Sequence, residues 1–600
     1  MLSGDSTILS HAIFWWYLKL QRYGQSHGAR SNAGSFSLAL HGGYLPSALR
    51  GANPRGSPRA PEDNRPLQPH RVALAISMGD MKRLISIIIC AAMALSAGAQ
   101  GVRETITIDG NGQFHIPAED QEKHIWLQFD GISRDASISV NGFDLGNGHE
   151  GHATQTFDIS EYLNYGGENQ VSIKKQGKEA DICTNVKLTK ASKVHVAPFG
   201  TFAYSRFTLN SNDSGGCAAC IGKPQLDIAY LTVETTVQNM DTRSADYSLK
   251  HRLIDTAGTT VAEKAVSIRQ LQAKASGRTV AQMEVSKPHL WTCEDPYLYT
   301  VVTEVICDGK VVDTYETTTG IRHVAFDPDN GLFLNGKAVK LKGICITPDE
   351  LQEQRITQMK KIGCNACRLS HNPMAPEFLD ICDRLGILVI EDNRLTGINR
   401  GHVEQFERMI KSDRNHPSVI LWSGSNDDWG TEWNESEKRV AESVRRYCNL
   451  FDPTREMTTA QIVAPTEATD HSGIEKSWKF IADRAYLAGV FYRTGPEFGI
   501  FDNCGLPMDE AFYLKSWWTN EPVLHILTDQ NLEGREGETV SVWVYSNCEE
   551  VQLIVNGVKL ERKKMPLNGH LEWNVVHKPG NSVKAVGYRA GKKVILQSIR

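Results

Sequence analysis

Hydrophobic and polar positions alternate along the N-terminal part of the chain. The alternation is clear over Ile125–Phe129 and Ala136–Val140, and the Asn-Gly pair at 141–142 that follows is typical of a tight hairpin. We predict a truncated jelly-roll sandwich over 101–215. The same rhythm of strands and turns returns over 216–322, where we predict an immunoglobulin-like sandwich.

From residue 335 the pattern changes to short apolar runs separated by amphipathic segments, which is typical of alternating strands and helices. An eight-stranded barrel usually needs about 250 residues. Here five or six strands fall within roughly 160 residues, so we predict an incomplete (β/α)8 TIM-type barrel over 323–497. The predicted strands are 339–346, 365–370, 387–393, 419–425, 455–461 and 488–494, and the predicted helices are 350–362, 375–385, 403–412, 436–450 and 474–483.

The centre of this region is the continuously apolar run Val419–Trp422, as expected of a strand buried on both faces. It ends abruptly in small and polar residues, which include Asn426 and Asp427. A parallel barrel presents its catalytic groups at the carboxyl ends of its strands. The pattern therefore places the candidate chemistry at this end of the barrel.

The C-terminal region returns to strands and turns, with a clear Asn-Gly hairpin at 556–557. We predict a linker and a second immunoglobulin-like domain over 498–600. The predicted fold class is therefore multidomain, β plus α/β.

The first hundred residues differ from the rest. Residues 1–80 are rich in Gly, Pro, Ser and Arg without a hydrophobic period, and we predict a disordered or spurious leader. Residues 81–100, MKRLISIIICAAMALSAGAQ, have the basic start, apolar core and small-residue end of a secretory signal peptide. We therefore expect an exported protein, periplasmic or extracellular, with no stable membrane span in the mature chain.

Composition mainly excludes certain classes of partner and of structural site. A net charge of −5 without long basic runs argues against a nucleic-acid partner. Thirteen cysteines spread over 600 residues do not form a dense disulfide scaffold. The CxxC pairs at 217–220 and 364–367 fall in different predicted domains, so we predict no metal site there.

Several stretches resemble glycoside hydrolase family 2, the β-galactosidase and β-glucuronidase family. The most specific are NACRLSHNP and WSGSNDD, and the order of the predicted domains also matches. The resemblance covers nearly all of 101–600 and is carried by FLNGKAVKLKG (333–343), KKIGCNACRLSHNPMAPEFLDICDRLGILVIEDNR (360–394), RNHPSVILWSGSNDDW (414–429), PHLWTCEDPYLYTV (288–301) and FGIFDNCGLPMDEAFYLKSWWTNEPVLHIL (498–527).

The resemblance implies hydrolysis of a glycosidic bond with retention, by two carboxyl groups about 5–5.5 Å apart. The family's acid/base lies in an Asn-Glu pair after the fourth strand, where this chain has Asn426 and Asp427. Aspartate keeps the carboxylate on a shorter arm, and a misplacement of about 1 Å can cost on the order of 100-fold in rate. Asp427 could equally be a rim carboxylate without a chemical role.

The family pattern also implies a sugar pocket. Asn426 would hold the sugar 2-hydroxyl. The other implied substrate-binding residues are Arg368, His371, Asn372, Glu391 and Asp392. Plainer roles are open for two of them: Arg368 could pair with barrel carboxylates, and His371 could be a satisfied turn residue.

The family's nucleophile is a Glu at the end of a later strand. Glu467, after Thr466, fits this pattern loosely and is our candidate. Glu497 lies in a similar motif but directly precedes the stretch that matches the linker after the barrel, which is too late.

We therefore expect a retaining exo-glycosidase acting on terminal β-linked sugars, first of all β-galactosides, with an oligosaccharide or glycoside as its partner. The alternatives are a non-catalytic carbohydrate-binding relative and a faulty gene model, because loops typical of the family are missing after the first barrel strand and before Pro496. No cofactor is expected, although the resemblance leaves Mg²⁺ open, and the sequence leaves open whether the chain forms a homo-oligomer.

Overall fold

The computed structural model describes most of the chain after residue 102. The leader over 1–80 and the signal segment over 81–100 lie outside this part. No described helix is long and apolar enough to cross a bilayer. The described residues are 103–130, 132, 136–148, 154–175, 185–210, 223–346, 353–369, 373–374, 376–393, 397–424, 434–458, 471–492, 500–502, 505–527, 535–578 and 580–599.

Eight strands form the first sandwich. One sheet has the order β1-β8-β3-β6 and the other β2-β7-β4-β5. The predicted Asn-Gly turn joins β4 to β5, with positive φ at both Asn141 and Gly142, as a two-residue hairpin requires. Strands β1 to β8 are Glu104–Asp109, Gln113–Ile116, Lys123–Phe129, Ala136–Val140, Phe143–Asn147, Gln155–Asp158, Gly167–Lys175 and Asn185–Ser192.

The predicted alternation is present in β4 but only partly in β3. Ala136–Val140 alternates between buried and half-buried positions as expected, whereas residues 124–127 in β3 are all buried. The second face of β3 is covered, since His195 stacks on His124 and Trp126 with ring centroids 4.9 and 5.4 Å apart. Contact with the second sandwich therefore buries the face of β3 that the sequence predicted to be polar and exposed.

The second sandwich holds its core between the sheets β15-β12-β9 and β14-β13-β16-β17. A two-stranded ribbon, β10-β11, and a three-stranded sheet, β18-β19-β20, flank it and lead to the barrel. Strands β9 to β20 are Val194–Arg206, Leu209–Asn210, Lys223–Pro224, Ile228–Asn239, Ala245–Ile254, Thr260–Leu271, Ala275–Ser286, Tyr299–Cys307, Lys310–Thr319, Val324–Asp327, Gly331–Leu334 and Lys337–Val339.

Six parallel strands alternate with helices in the barrel region. The strands β21 to β26 are Leu341–Ile346, Ala366–Leu369, Leu388–Asp392, Val419–Ser423, Glu456–Thr458 and Gly489–Tyr492, and the helices α1 to α5 are Glu353–Lys361, Pro376–Leu385, Arg400–Asp413, Glu435–Phe451 and His471–Ala482. Every predicted strand and helix of this region is present, at least in part, within the described residues.

Local chemistry sets several of these ends. Asn434 starts α4 with a capping box, accepting from the backbone N–H of Glu437, whose side chain accepts in return. Gly386 ends α2 with φ +69°, and a Cβ there would lie 2.4 Å from the Cys293 carbonyl oxygen, so only glycine fits.

The order of the sheet is β25-β24-β23-β22-β21-β26, and all pairs are parallel. The last strand, β26, therefore pairs with the first, β21, as the closing strand of a barrel does. Only α5 lies between β25 and β26 in the described part of the chain, where an eight-stranded barrel has two more strands. The structure confirms a TIM-like region with a partial parallel sheet.

Alternate residues of these strands enter two separate cores. Ala366, Leu388 and Ile390 pack inside with Phe491, whose ring lies over Gly343. The opposite face packs against the helices in the largest apolar cluster of the described residues.

The C-terminal region contains a helix that the sequence analysis missed, α6 (Asp509–Trp518), and then two sheets, β27-β28-β31 and β30-β29-β32-β33. Asn556 and Gly557 form the predicted hairpin turn with positive φ. Strands β27 to β33 are Leu524–Ile526, Thr539–Ser546, Glu550–Val555, Val558–Lys564, Leu571–Val576, Val583–Arg589 and Lys592–Ile599.

Candidate active site

Polar side chains appear where β22, β23 and β24 end. Arg368 is the third residue of β22, Glu391 and Asp392 end β23, and Ser423 ends β24. Side chains along a strand alternate between the two faces of the sheet. Since Ala366 and Ile390 face the interior, Arg368 and Asp392 also face it, and Glu391 faces the helices.

Arg368 and Asp392 form a buried ion pair on the interior face. The Arg368 Nε donates to both Asp392 carboxylate oxygens at 3.2 and 3.1 Å, and Nη2 lies 3.0 Å from Oδ2. The side chains are 4% and 0% exposed. The structure thus brings two predicted pocket residues together, and the pairing proposed as the plainer role of Arg368 is present.

Glu391 is not beside them. It is fully buried on the helix-facing side, close to Asp413 at the end of α3. Burial and the neighbouring Asp413 carboxyl raise the pKa of Glu391 well above its ordinary value, and burial raises the pKa of Asp413 to about 6. The structure therefore does not bring Glu391 to the Arg368–Asp392 pair, because strand alternation turns its side chain towards the outer core.

The start of β24 is fixed by two arginines. Arg322 Nη2 and Arg455 Nε donate to the Val419 carbonyl oxygen at 2.5 and 2.7 Å. Arg455 also pairs with Asp452 at 2.7 Å, and Asp452 accepts the indole N–H of Trp422. Burial alone would raise the pKa of Asp452, but Arg455 and these hydrogen bonds hold it below its ordinary value.

His416 and Asp383 form a second buried pair next to β24. His416 Nδ1 lies 2.7 Å from Asp383 Oδ2, and Asp383 Oδ1 accepts the backbone N–H of Ser418. The Asp383 carbonyl accepts the indole N–H of Trp291, which comes from the second sandwich. Burial opposes the charged imidazole, but the Asp383 carboxylate outweighs it and raises the pKa of His416 to about 9.

The second sandwich also holds this segment through Asn415. Its Oδ1 accepts the backbone N–H of Ala203 at 2.9 Å, and its Nδ2 donates to the Thr201 carbonyl at 2.8 Å. The sequence analysis assigned no role to Asn415 or His416, although both belong to the RNHPS motif that carries the resemblance. They orient β24 and do not belong to the chemistry at its far end.

The chain leaves β24 through Gly424. Its backbone N–H donates to the Thr458 carbonyl at 3.0 Å, and a Cβ there would lie 2.8 Å from the Met457 Sδ. The segment that carries the predicted acid therefore starts from a fixed point beside β25. The predicted residues Asp427, Asn426, Glu467, His371 and Asn372 themselves lie outside the described residues.

Mg²⁺ prefers oxygen ligands in octahedral geometry. One group of three possible ligand residues, Asp380, Asp383 and His416, has its ligand atoms within 4.8 Å in the described part. His416 already binds Asp383, and Asp383 already accepts from Ser418. This group does not fit Mg²⁺, and we assign no metal step to it.

Sequence models of known families match four parts of the chain. Those described as Glycosyl hydrolase 2 galactose-binding domain-like and Glycosyl hydrolases family 2 match residues 110–197 and 223–322. The Glycosyl hydrolases family 2 TIM barrel domain matches in two segments, 335–400 and 397–482. Together these three cover more than half of the 600 residues. A domain of unknown function (DUF4982) matches 537–595.

Individual relatives are distant but extensive. A beta-galactosidase of Bacteroides ovatus is 25% identical, over 84% of this chain and 75% of its own length. A beta-glucuronidase of Formosa agariphila is 25% identical, over 79% of this chain, which spans only 59% of the relative. The crystal structure of a glycosyl hydrolase family 2 member from Bacteroides cellulosilyticus superposes with a TM-score of 0.70 and 26% identity, covering 84% and 78% of the two chains.

These alignments also contain internal gaps. The alignment with the Bacteroides ovatus protein runs over 669 positions, whereas 84% of 600 residues supplies about 504, so about 165 positions of the relative have no counterpart here. The barrel with its buried arginine–aspartate pair, the flanking sandwiches and the matched domain models agree, and the chain belongs to glycosyl hydrolase family 2.

Proposed function

We propose that the protein is a retaining exo-glycosidase that hydrolyses terminal β-linked sugars, first of all β-galactosides. The observation that carries this proposal is the Arg368–Asp392 pair, which lies on the interior face at the carboxyl ends of parallel strands. In this fold such ends form the catalytic face. The family membership supplies the class of reaction.

Asp427 would protonate the leaving glycosidic oxygen, and Glu467 would attack the anomeric carbon to give a covalent glycosyl–enzyme intermediate. Asp427, then ionised, would take a proton from the water that releases the sugar. Asn426 would hold the 2-hydroxyl, with His371 and Asn372 completing the pocket. Arg368 and Asp392 would contribute a rigid polar floor, since each fixes the other.

The charge of this floor supports a neutral sugar. Asp392 compensates the Arg368 guanidinium at 3.0 Å, so the pair brings no net positive charge to the pocket. A glucuronide carries a carboxylate and would gain from an uncompensated cation, whereas a galactoside needs hydrogen-bonding groups only. Relatives are named for either substrate, so their names do not decide between the two sugars. The charge of the Arg368–Asp392 pair favours the galactoside.

The test is sugar release from p-nitrophenyl β-galactoside and p-nitrophenyl β-glucuronide by the full chain. We expect release from the galactoside, abolition by Asp427→Asn, and a rise on Asp427→Glu, which restores the family's longer arm. Release from the glucuronide alone would refute the proposed specificity. EDTA should leave the rate unchanged, because we propose no metal or other cofactor.

A second function is favoured by the partial sheet. The family's nucleophile follows a late strand, and in the described part only α5 lies between β25 and β26. A non-catalytic carbohydrate-binding relative would keep the sandwiches and lose turnover. Galactose binding by calorimetry without hydrolysis, and without any gain from Asp427→Glu, would establish this function instead.

We also propose that the protein is exported and that its mature form starts near residue 101, because residues 81–100 have the pattern of a secretory signal peptide. Mass spectrometry of the N-terminal peptide from the native source tests this. Peptides from 1–80 in the mature protein would contradict it.

A further inference from the structure

Two aromatic rings stand exposed side by side on the first sandwich. Phe143 is 58% exposed and Tyr162 is 37% exposed. Their ring centroids lie 5.6 Å apart with the planes inclined by 43°. Large apolar side chains gain by burial, so the pair offers apolar surface that a partner could cover.

The two rings belong to different segments that an amide network ties together. Asn141, in the β4–β5 turn, donates through Nδ2 to the Tyr162 carbonyl at 2.8 Å and to Asn169 Oδ1 at 2.7 Å. Asn169 is 2% exposed, and the same oxygen accepts the backbone N–H of Asn164 at 2.7 Å. The spacing of the rings is therefore set in advance by a buried side chain, which lowers the entropy cost of binding.

The pair lies away from the catalytic face. Phe143 is on β5, at the edge of the sheet β2-β7-β4-β5. Contacts with the second sandwich and with α2 are made from the opposite sheet, by His124 on β3 and by Lys187 on β8, whose Nζ lies 3.4 Å from Glu377. The thickness of the sandwich, about 10 Å, separates the ring pair from those contacts.

The surroundings select the chemistry of the ligand. Glu161 and Asp144, the chain neighbours of the two rings, are both exposed. This acidic border repels uronate or sulfated chains. A neutral sugar ring offers apolar C–H faces to aromatic rings and hydroxyl groups to the surrounding carboxylates and amides.

We propose that Phe143 and Tyr162 form a stacking platform for neutral sugar residues of a polysaccharide, separate from the catalytic rim. The domain match described as galactose-binding domain-like covers both residues. The platform holds the protein on a polymer, while the catalytic rim would hydrolyse the sugars at the ends of that polymer. It goes beyond the proposed hydrolysis and does not depend on turnover.

The test is affinity electrophoresis of the full chain in gels that contain soluble galactan, galactomannan or polygalacturonate. We expect retardation by at least one neutral polymer and none by polygalacturonate. The double variant Phe143→Ala/Tyr162→Ala should weaken binding at least about tenfold, because it removes both rings against which the sugar would stack. Phe143→Trp should preserve or strengthen it.

Tyr486→Ala is the matched control, because Tyr486 is 52% exposed and lies in the barrel region. It should leave retardation unchanged, and so should Asp427→Asn, which separates binding from hydrolysis. If the double variant melts below the parent, the single variant Phe143→Ser replaces it, since that change leaves the Asn141 network intact. Equal retardation of parent and platform variants, no retardation by either neutral polymer, or preference for polygalacturonate would overturn the proposal.

Discussion

The two parts of the barrel differ in how completely they are built. From β21 to β25 each strand is followed by its helix, and the inner and outer cores are continuous. Between β25 and β26 the described chain offers only α5. The polar pairs Arg368–Asp392, His416–Asp383 and Arg455–Asp452 all lie in the first part.

The described residues therefore show the strand that leads to the proposed acid more fully than the chain around the proposed nucleophile. The strand before Asp427 is fixed at its start by arginines and at its end by Gly424. The segment between β25 and α5, which carries Glu467, lies outside the described residues.

The largest effect is expected from breaking the buried pair in the well-built part. Arg368→Ala leaves Asp392 charged and buried, which typically costs about 3–5 kcal/mol in the free energy of unfolding. Chemical denaturation measures this loss. The control is the exposed pair Arg384–Glu353, at 3.4 Å, where Glu353→Gln should change the free energy by less than about 0.5 kcal/mol. Equal effects at the two sites would show that the first part is not specially dependent on its internal pair.

The pH dependence of the unfolding free energy tests a second buried pair in the same part of the barrel. The pKa of His416 is raised to about 9 in the folded chain. The stabilisation that its charged imidazole provides is therefore fully present below the ordinary pKa of 6.5 and is lost as pH rises to about 9. We expect the unfolding free energy to fall by about 3 kcal/mol across this window. His416→Asn should flatten the profile, whereas His115→Asn, at an exposed site, should not. An unchanged profile in His416→Asn would contradict the assignment.

Unlike the preceding substitutions, Glu391→Gln is expected to increase the free energy of unfolding. Its raised pKa means that ionisation above the ordinary pKa of 4.5 costs stability in the folded chain. The amide removes this cost, so we expect a gain in stability at pH 7 and none at pH 4. Thermal melting at the two pH values measures the difference. A loss at pH 7 would mean that Glu391 accepts hydrogen bonds as a carboxylate.

The smallest effect concerns local opening. Backbone amides of the edge strands β25 and β26 should exchange with deuterium about tenfold faster than those of β22 and β23, because edge strands lack one neighbour. Exchange followed by mass spectrometry measures this. Uniform protection would mean that the sheet is closed by residues beyond those described.

The sequence predicted the fold class and the barrel elements because their periodicities are strong, and turns such as Asn141-Gly142 are set locally. The prediction failed where burial or side-chain direction depends on neighbouring elements of the fold. Burial of residues 124–127 depends on the second sandwich, and the direction of Glu391 depends on strand parity relative to the core. Arg368 and Asp392 could be proposed together only through the resemblance, since their contact joins two strands.

Asn415 and Arg322 have a consequence for the replacement of domains. They tie the strand before the acid to the sandwich that precedes the barrel, through Ala203, Thr201 and Val419. Loss of a barrel segment after β25 would leave all of these bonds in place, whereas replacement of the sandwich by another domain would release β24.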